Sequence, residues 1–165
     1  MKNILITGGA GYIGSHVAES LIKKKKNIVI VDNLSTGFKK LINKKAKFFK
    51  IDISSVKKIK KLIIDNKIDS VIHLAAALSV GESQKNPRKY NQINVLGTKN
   101  ILKALEKTDV KNIIFSSTCA VYEDGHSKVS ESTELNPTSV YGRTKLKGEK
   151  LIQFFCKKNK VNYGI

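Results

Sequence analysis

The sequence predicts an α/β fold: a doubly wound parallel sheet with helices on both faces. Three observations predict it. Short β-branched runs alternate with helical patterns along the chain. A glycine-rich turn joins the first run to the first helix. Polar residues gather at the predicted carboxyl ends of the strands, where open sheets of this class bind their ligands.

The elements follow in order. Apolar, β-branched runs place strands at Asn3 to Thr7, Asn27 to Asp32, Lys47 to Ile51, Ser70 to Ala75 and Asn112 to Ser116, with a short last one at Val161 to Ile165. Between them, helical patterns cover Gly11 to Lys24, Val56 to Asn66, Pro87 to Lys107 and Thr138 to Lys158. Right-handed crossovers between parallel strands then set a switch point at the carboxyl edge. No repeat or linker divides the chain, so residues 1–165 read as one domain, and 165 residues suffice to bury a real core.

Composition narrows the class. Hydrophobic residues make up 41% of the chain, as in globular proteins rather than disordered ones. The run "VIHLAAALSV" is interrupted by His73 and too short to span a bilayer. Cys119 and Cys156 form no CxxC pair and stand near no histidine cluster, so neither a disulfide framework, a zinc site nor any other metal is expected. The expected setting is a reduced cytoplasm. A net charge of +18 suggests nucleic acid, yet only Arg88 and Arg143 are arginines, and the lysines are spread over the whole sequence. Salt-sensitive polyanion binding is expected of such a chain, whereas a dedicated nucleic-acid partner is not.

The stretch "ITGGAGYIGSHV" matches GxGxxG from Gly9 and also spaces Gly8, Gly11 and Gly14. Glycines serve a tight turn, close approach of backbone to a pyrophosphate, and helix–strand packing. The helix amides that follow meet phosphate charge. Asp32 closes the second strand, where a carboxylate accepts from ribose hydroxyls and repels a 2′-phosphate, so NAD is expected rather than NADP. Asp52, after the third strand, is placed to meet an adenine amino group. His73 and His16 read as structural residues of a strand and a helix face.

The stretch "SVYGRTK" carries the chemistry. Tyr141 and Lys145 stand at i and i+4, neighbours on one helix face. An ammonium there favours phenolate and makes the tyrosine a proton acceptor. Ser116, Ser117 and Thr118 put hydroxyls at the end of the fifth strand, suited to orienting a substrate oxygen.

Together "TGGAGYIGSH", "VDNLSTG", "HLAA", "VGES", "NVLGT", "FSST" and "YGRTK" resemble the extended short-chain dehydrogenase/reductase family over essentially the whole chain. The closest likeness is to its nucleotide-sugar 4-epimerases. The resemblance implies a Rossmann-like domain and NAD contacts at Tyr12 and Ile13. It adds Asp32, Asn33, Leu34, Ser35, Thr36 and Gly37, then Asp52 and Ile53, then Leu74, Ala75, Ala76, Ala77 and Leu78, and finally Asn94. It implies Thr118, Tyr141 and Lys145 as the catalytic set, with Thr118 and Tyr141 touching substrate and Tyr141 and Lys145 also touching NAD. The implied reaction is epimerisation at C4 of a nucleotide sugar, UDP-galactose/UDP-glucose above others, through a 4-keto intermediate. A homodimer is implied, pairing the helices at Pro87 to Lys107 and Thr138 to Lys158 as a four-helix bundle.

Some positions depart from the family pattern. Dehydrating members carry an Asp-Glu pair where this chain has Cys119 and Ala120, which favours epimerisation over elimination. Glu123 replaces a glycine of "VYG", and Leu78 replaces a lysine found in some epimerases. Members are also roughly twice this length, and "VNYGI" ends in a strand, so a fragment or a shortened reading frame is expected, with the substrate-binding carboxyl-terminal part outside this chain. Low activity of the isolated chain follows, because catalysis draws on binding of remote parts of a substrate. Two alternatives stand beside this reading. One is another NAD-dependent nucleotide-sugar oxidoreductase or epimerase, and the other is an NAD-binding module without catalysis.

Overall fold

The computed structural model describes residues 2–123 and 128–165. Six strands form one sheet: β1 (Asn3–Thr7), β2 (Asn27–Asp32), β3 (Lys47–Lys50), β4 (Ser70–His73), β5 (Asn112–Phe115) and β6 (Asn162–Gly164). Their order is β3-β2-β1-β4-β5-β6, and every pairing is parallel. This is the Rossmann-like arrangement the sequence predicts, with the switch point between β1 and β4.

The central strands are apolar on both sides because both faces are covered. Along β1 and β2, Leu5, Val29 and Val31 face one core, while Ile4, Ile6, Ile28 and Ile30 face the other. The second core lies under α1 (Tyr12–Lys23), which contributes Ala18, Val17, Leu21 and Ile22. The first and larger core lies under three helices. These are α2 (Val56–Asp65), α5 (Gly97–Leu105) and α6 (Val140–Asn159), which supply Ile59, Leu62, Ile63, Ile101, Leu102, Leu105, Ile152 and Phe155.

Two features differ from the sequence reading. A short helix α3 (Val80–Lys85), started by Ser79 accepting from the Glu82 amide, follows β4 where no element is predicted. The expected helix from Pro87 to Lys107 is instead α4 (Pro87–Tyr90), a π-turn over Asn91–Leu96, and α5. The π-turn widens the helix around Asn94, which is buried and held by tertiary hydrogen bonds. An inserted residue of this kind frequently marks a functional segment. Among the described residues no helix is long and apolar enough to cross a membrane.

Candidate functional site

The carboxyl ends of β1, β2, β4 and β5 converge on one edge, where most of the predicted site residues lie. Gly8 leaves β1 with φ +72°, and its amide donates to Val31 O at 2.9 Å. A Cβ on Gly8 would sit 2.7 Å from the Ala75 nitrogen, and one on Gly14 would sit 2.3 Å from Gly8 O. Only glycine therefore lets the turn, the β4 loop and the start of α1 meet at this distance. Gly11 caps α1 without a side-chain bond, and the first turn holds no acidic residue, so its amides have no carboxylate or hydroxyl cap. Tyr12 and Ile13 stand exposed on that turn.

Asp32 ties the loops together. One carboxylate oxygen accepts from the Ala10 amide at 3.0 Å and the other from the Leu34 amide at 2.8 Å. Leu34 takes a left-handed φ of 61° to close this turn, and the Ser35 amide donates to the Asn33 side chain at 2.9 Å. Asn33 in turn donates to Asp52 at 2.7 Å. The Asp52 carboxyl is held below the usual range by hydrogen bonds from Ser54, side chain and backbone, and from Asn33. Gly37 packs against Ala10, and Phe38 donates to Ala10 O, so the stretch from Asp32 to Gly37, Ser35 and Thr36 included, curls back over the glycine turn. Ile53 points at Gly97 of α5. A bare helix start, a close-approach turn and a carboxylate at the end of β2 fit a dinucleotide pyrophosphate and its ribose.

Beyond β4, Leu74, Ala75, Ala76, Ala77 and Leu78 form the loop nearest the switch point. Asn94 lies beneath it rather than open to it. Its amide oxygen accepts from Ala77 N at 2.8 Å, and its nitrogen donates to Ala77 O at 3.1 Å and to Thr144 on α6 at 3.0 Å. Asn94 thus fixes the loop to α6, while Leu78 stands exposed. His73 is fully enclosed between Thr7 at 2.7 Å and Thr98 at 3.1 Å, and burial pushes it down to about 3, so it stays a neutral strand residue. His16 packs on Tyr12 of its own helix.

Tyr141 and Lys145 lie one turn apart on α6, at 9% and 3% exposure. Neither the phenol oxygen nor the ammonium makes a hydrogen bond among the described residues. The ammonium sits 4.2 Å from the centre of the Phe115 ring. Burial lowers its pKa to about 8, opposed by the negative charge of Glu149 one turn further on. Glu149 is buried and accepts from Ser117. Thr118 caps the short turn Cys119–Val121 by accepting from the Ala120 amide at 3.2 Å, and Ala120 O lies against Gly142, next to Tyr141. The predicted triad is therefore gathered at one edge by β5 and α6.

Sequence reasoning missed three supporting groups. Glu149 was legible as another i+4 step beyond Lys145. Ser83, which accepts from the Tyr141 amide at 3.0 Å, and Tyr90, whose ring meets Tyr141 edge-on at 6.5 Å, come from elements distant in sequence and left no local signal.

Comparison with known proteins gives the family. Over 163 residues the chain is 40% identical to UDP-glucose 4-epimerase of Lactobacillus helveticus, covering 97% of this chain and 49% of that protein. It is 42% identical to the putative UDP-glucose 4-epimerase of Methanocaldococcus jannaschii, covering 98% and 53%. The crystal structure of UDP-glucose 4-epimerase from Brucella ovis in complex with NAD superposes with a TM-score of 0.94 at 36% identity, over 99% of this chain and 50% of that one. The Thermotoga maritima enzyme with UDP-glucose gives 0.91 at 35% identity, over 98% and 53%. The chain thus spans about half the length of the relatives it matches. Residues 4–165 match the NAD dependent epimerase/dehydratase family, and with the fold and the glycine turn in agreement, the chain belongs to that family.

Proposed function

We propose that the protein carries the NAD-binding and proton-transfer half of a nucleotide-sugar 4-epimerase, with UDP-galactose and UDP-glucose as its substrates. The observation that carries this is the pair Tyr141 and Lys145, buried together at the strand edge with their polar tips left to a ligand. NAD⁺, when bound, accepts and returns the hydride at C4. Tyr141 takes the proton of the C4 hydroxyl and later restores it. Thr118 orients that hydroxyl through its own, from the end of β5. Lys145 supplies positive charge to the phenolate and a donor to a ribose. The glycine turn, Asp32 and Asp52 would hold the dinucleotide, with the loop Leu74 to Leu78 lining the same edge. Relatives solved with NAD and with UDP-glucose support the ligand set.

The same proposal includes a homodimer and a cytoplasmic setting. Leu96 and Phe154 are exposed on the helices expected to pair, and the two cysteines are free thiols. A second reading, an NAD-binding module without turnover, draws on the half-length span of the relatives.

NMR detection of UDP-glucose formed from UDP-galactose, with NAD⁺ added, tests the function. Conversion by the wild-type chain that disappears in Tyr141→Phe, with NAD⁺ binding retained, is the expected result. Conversion surviving Tyr141→Phe would overturn the role of the tyrosine, and NAD⁺ binding with no conversion even by a chain extended to the full length of the relatives would favour the second reading.

A further inference from the structure

The start of α6 is fixed in an unusual way. Its first three amides each meet a side-chain acceptor: Val140 N donates to Gln84 at 3.1 Å, Tyr141 N to Ser83 at 3.0 Å, and Gly142 N to Ser139 at 2.9 Å. Two of these acceptors come from α3, a helix separated from α6 by more than 50 residues. The Ser83 hydroxyl is fully buried and spends its own proton on Val80 O at 2.6 Å, so its lone pairs are directed at the Tyr141 amide. The residue before it, Glu82, accepts from the Tyr90 phenol at 3.0 Å. The Tyr90 ring then stands at 90° to the ring of Tyr141. Three consecutive residues of α3 thus address one tyrosine: Glu82 through a neighbouring ring, Ser83 through its amide, Gln84 through the amide before it.

The helix α3 begins at Ser79, directly after the loop Leu74 to Leu78. That loop is also tied to α6 through Ala77, Asn94 and Thr144. The loop and the tyrosine are therefore connected by two routes. One runs through the part-buried Ala77–Asn94 bonds and the buried Asn94–Thr144 bond, the other through the buried bond from the Tyr141 amide to Ser83. These bonds lose free energy if either end moves.

We infer that Ser83 is the positioning residue for Tyr141, and that α3 couples the cofactor loop to the placement of the phenol. The inference rests on Tyr141 acting as the proton acceptor proposed above. Filling the loop with cofactor then sets the tyrosine where the sugar hydroxyl arrives.

The test is NMR of the chain labelled with 13Cζ-tyrosine, using NAD⁺ as the probe. Tyr141→Phe identifies the Tyr141 signal among the five tyrosines. In the wild-type chain NAD⁺ shifts that signal. Ser83→Ala is expected to bind NAD⁺ within about threefold of wild type, yet to move the free signal and lose at least about half of its NAD⁺-induced shift. Ser83→Thr keeps the hydroxyl and restores the response. Gln84→Ala alters an exposed side chain that leaves folding intact, and gives a smaller loss in the same direction. Where turnover is measured, Ser83→Ala lowers kcat roughly 10-fold with KM within about twofold, the pattern of a misplaced catalytic group. A Tyr141 signal and NAD⁺ response unchanged in both Ser83→Ala and Gln84→Ala would overturn the inference. If Ser83→Ala does not fold, Gln84→Ala alone decides. In a chain extended to the relatives' full length, an NAD⁺ shift without conversion of sugar removes the proposed function, while the signals still decide the coupling.

Discussion

Lys145 carries opposite consequences for stability and for chemistry. Its ammonium is enclosed against Phe115, and burial takes its pKa from 10.5 to about 8. Between those values the unfolded chain holds a proton that the folded chain has released, so stability rises with pH across that window. Below about 8 the full cost is present, on the order of 3 kcal/mol. Lys145→Met is expected to abolish turnover while raising stability in urea unfolding by about 1–3 kcal/mol at pH 7, and by less at pH 10. An equal gain at both values would count against the buried charge as its cause. Under the proposed mechanism turnover should correspondingly decline above about pH 8, as the Lys145 ammonium loses its charge. His73 gives the acid counterpart. Its pKa falls from 6.5 to about 3, so the unfolded chain takes up a proton first as pH drops. Stability is intact above about 6.5 and is lost progressively below it. Thermal melts from pH 7.5 to 5 should show that slope, and His73→Phe should flatten it.

At the scale of elements, the glycine turn and the π-turn each hold a loop against its neighbour. Gly14→Ala puts a methyl 2.3 Å from Gly8 O, a contact that only movement of the turn can relieve. Calorimetric titration is expected to show NAD⁺ affinity reduced at least about 10-fold, with a lowered Tm, because the amides of α1 no longer face the pyrophosphate together. Affinity within about twofold of wild type would mean that the turn is not the phosphate seat. The π-turn was invisible in sequence for a physical reason. Helical periodicity continues from Pro87 to Lys107, and the widened turn holds Asn94 where it bonds both Ala77 and Thr144, partners that lie outside the segment. The helix α3 was equally hidden: six residues are too few to show a period, and Ser79 and Glu82 only become a cap once the turn has closed.

For the whole molecule, ligand linkage and net charge separate cleanly. NAD⁺ binds the folded chain alone, so saturating it should raise Tm and slow proteolysis. Polyanion binding should behave differently. The hollow of about 470 Å³ at the amino edge of the sheet is lined by Lys25, Lys26, Lys45 and Lys47, far from the glycine turn. Heparin binding is expected to fall steeply as salt rises, while NAD⁺ affinity changes little. Parallel loss of both would place the polyanion on the cofactor edge instead.

The sequence by itself determined the fold class, a parallel sheet covered on both faces, through strands alternating with helices, and it singled out the glycine turn, Asp32 and the pair Tyr141 and Lys145; the order of the strands came from the structure. Those signals are local: a glycine spacing, a strand-end carboxylate, an i+4 step. Only the tertiary structure decided what holds them. Ser83 on the Tyr141 amide, Asn94 beneath Ala77, Phe115 under Lys145 and the enclosure of His73 all join segments distant in the chain. Such contacts depend on how far two packed elements approach each other, and no spacing within one segment records that distance.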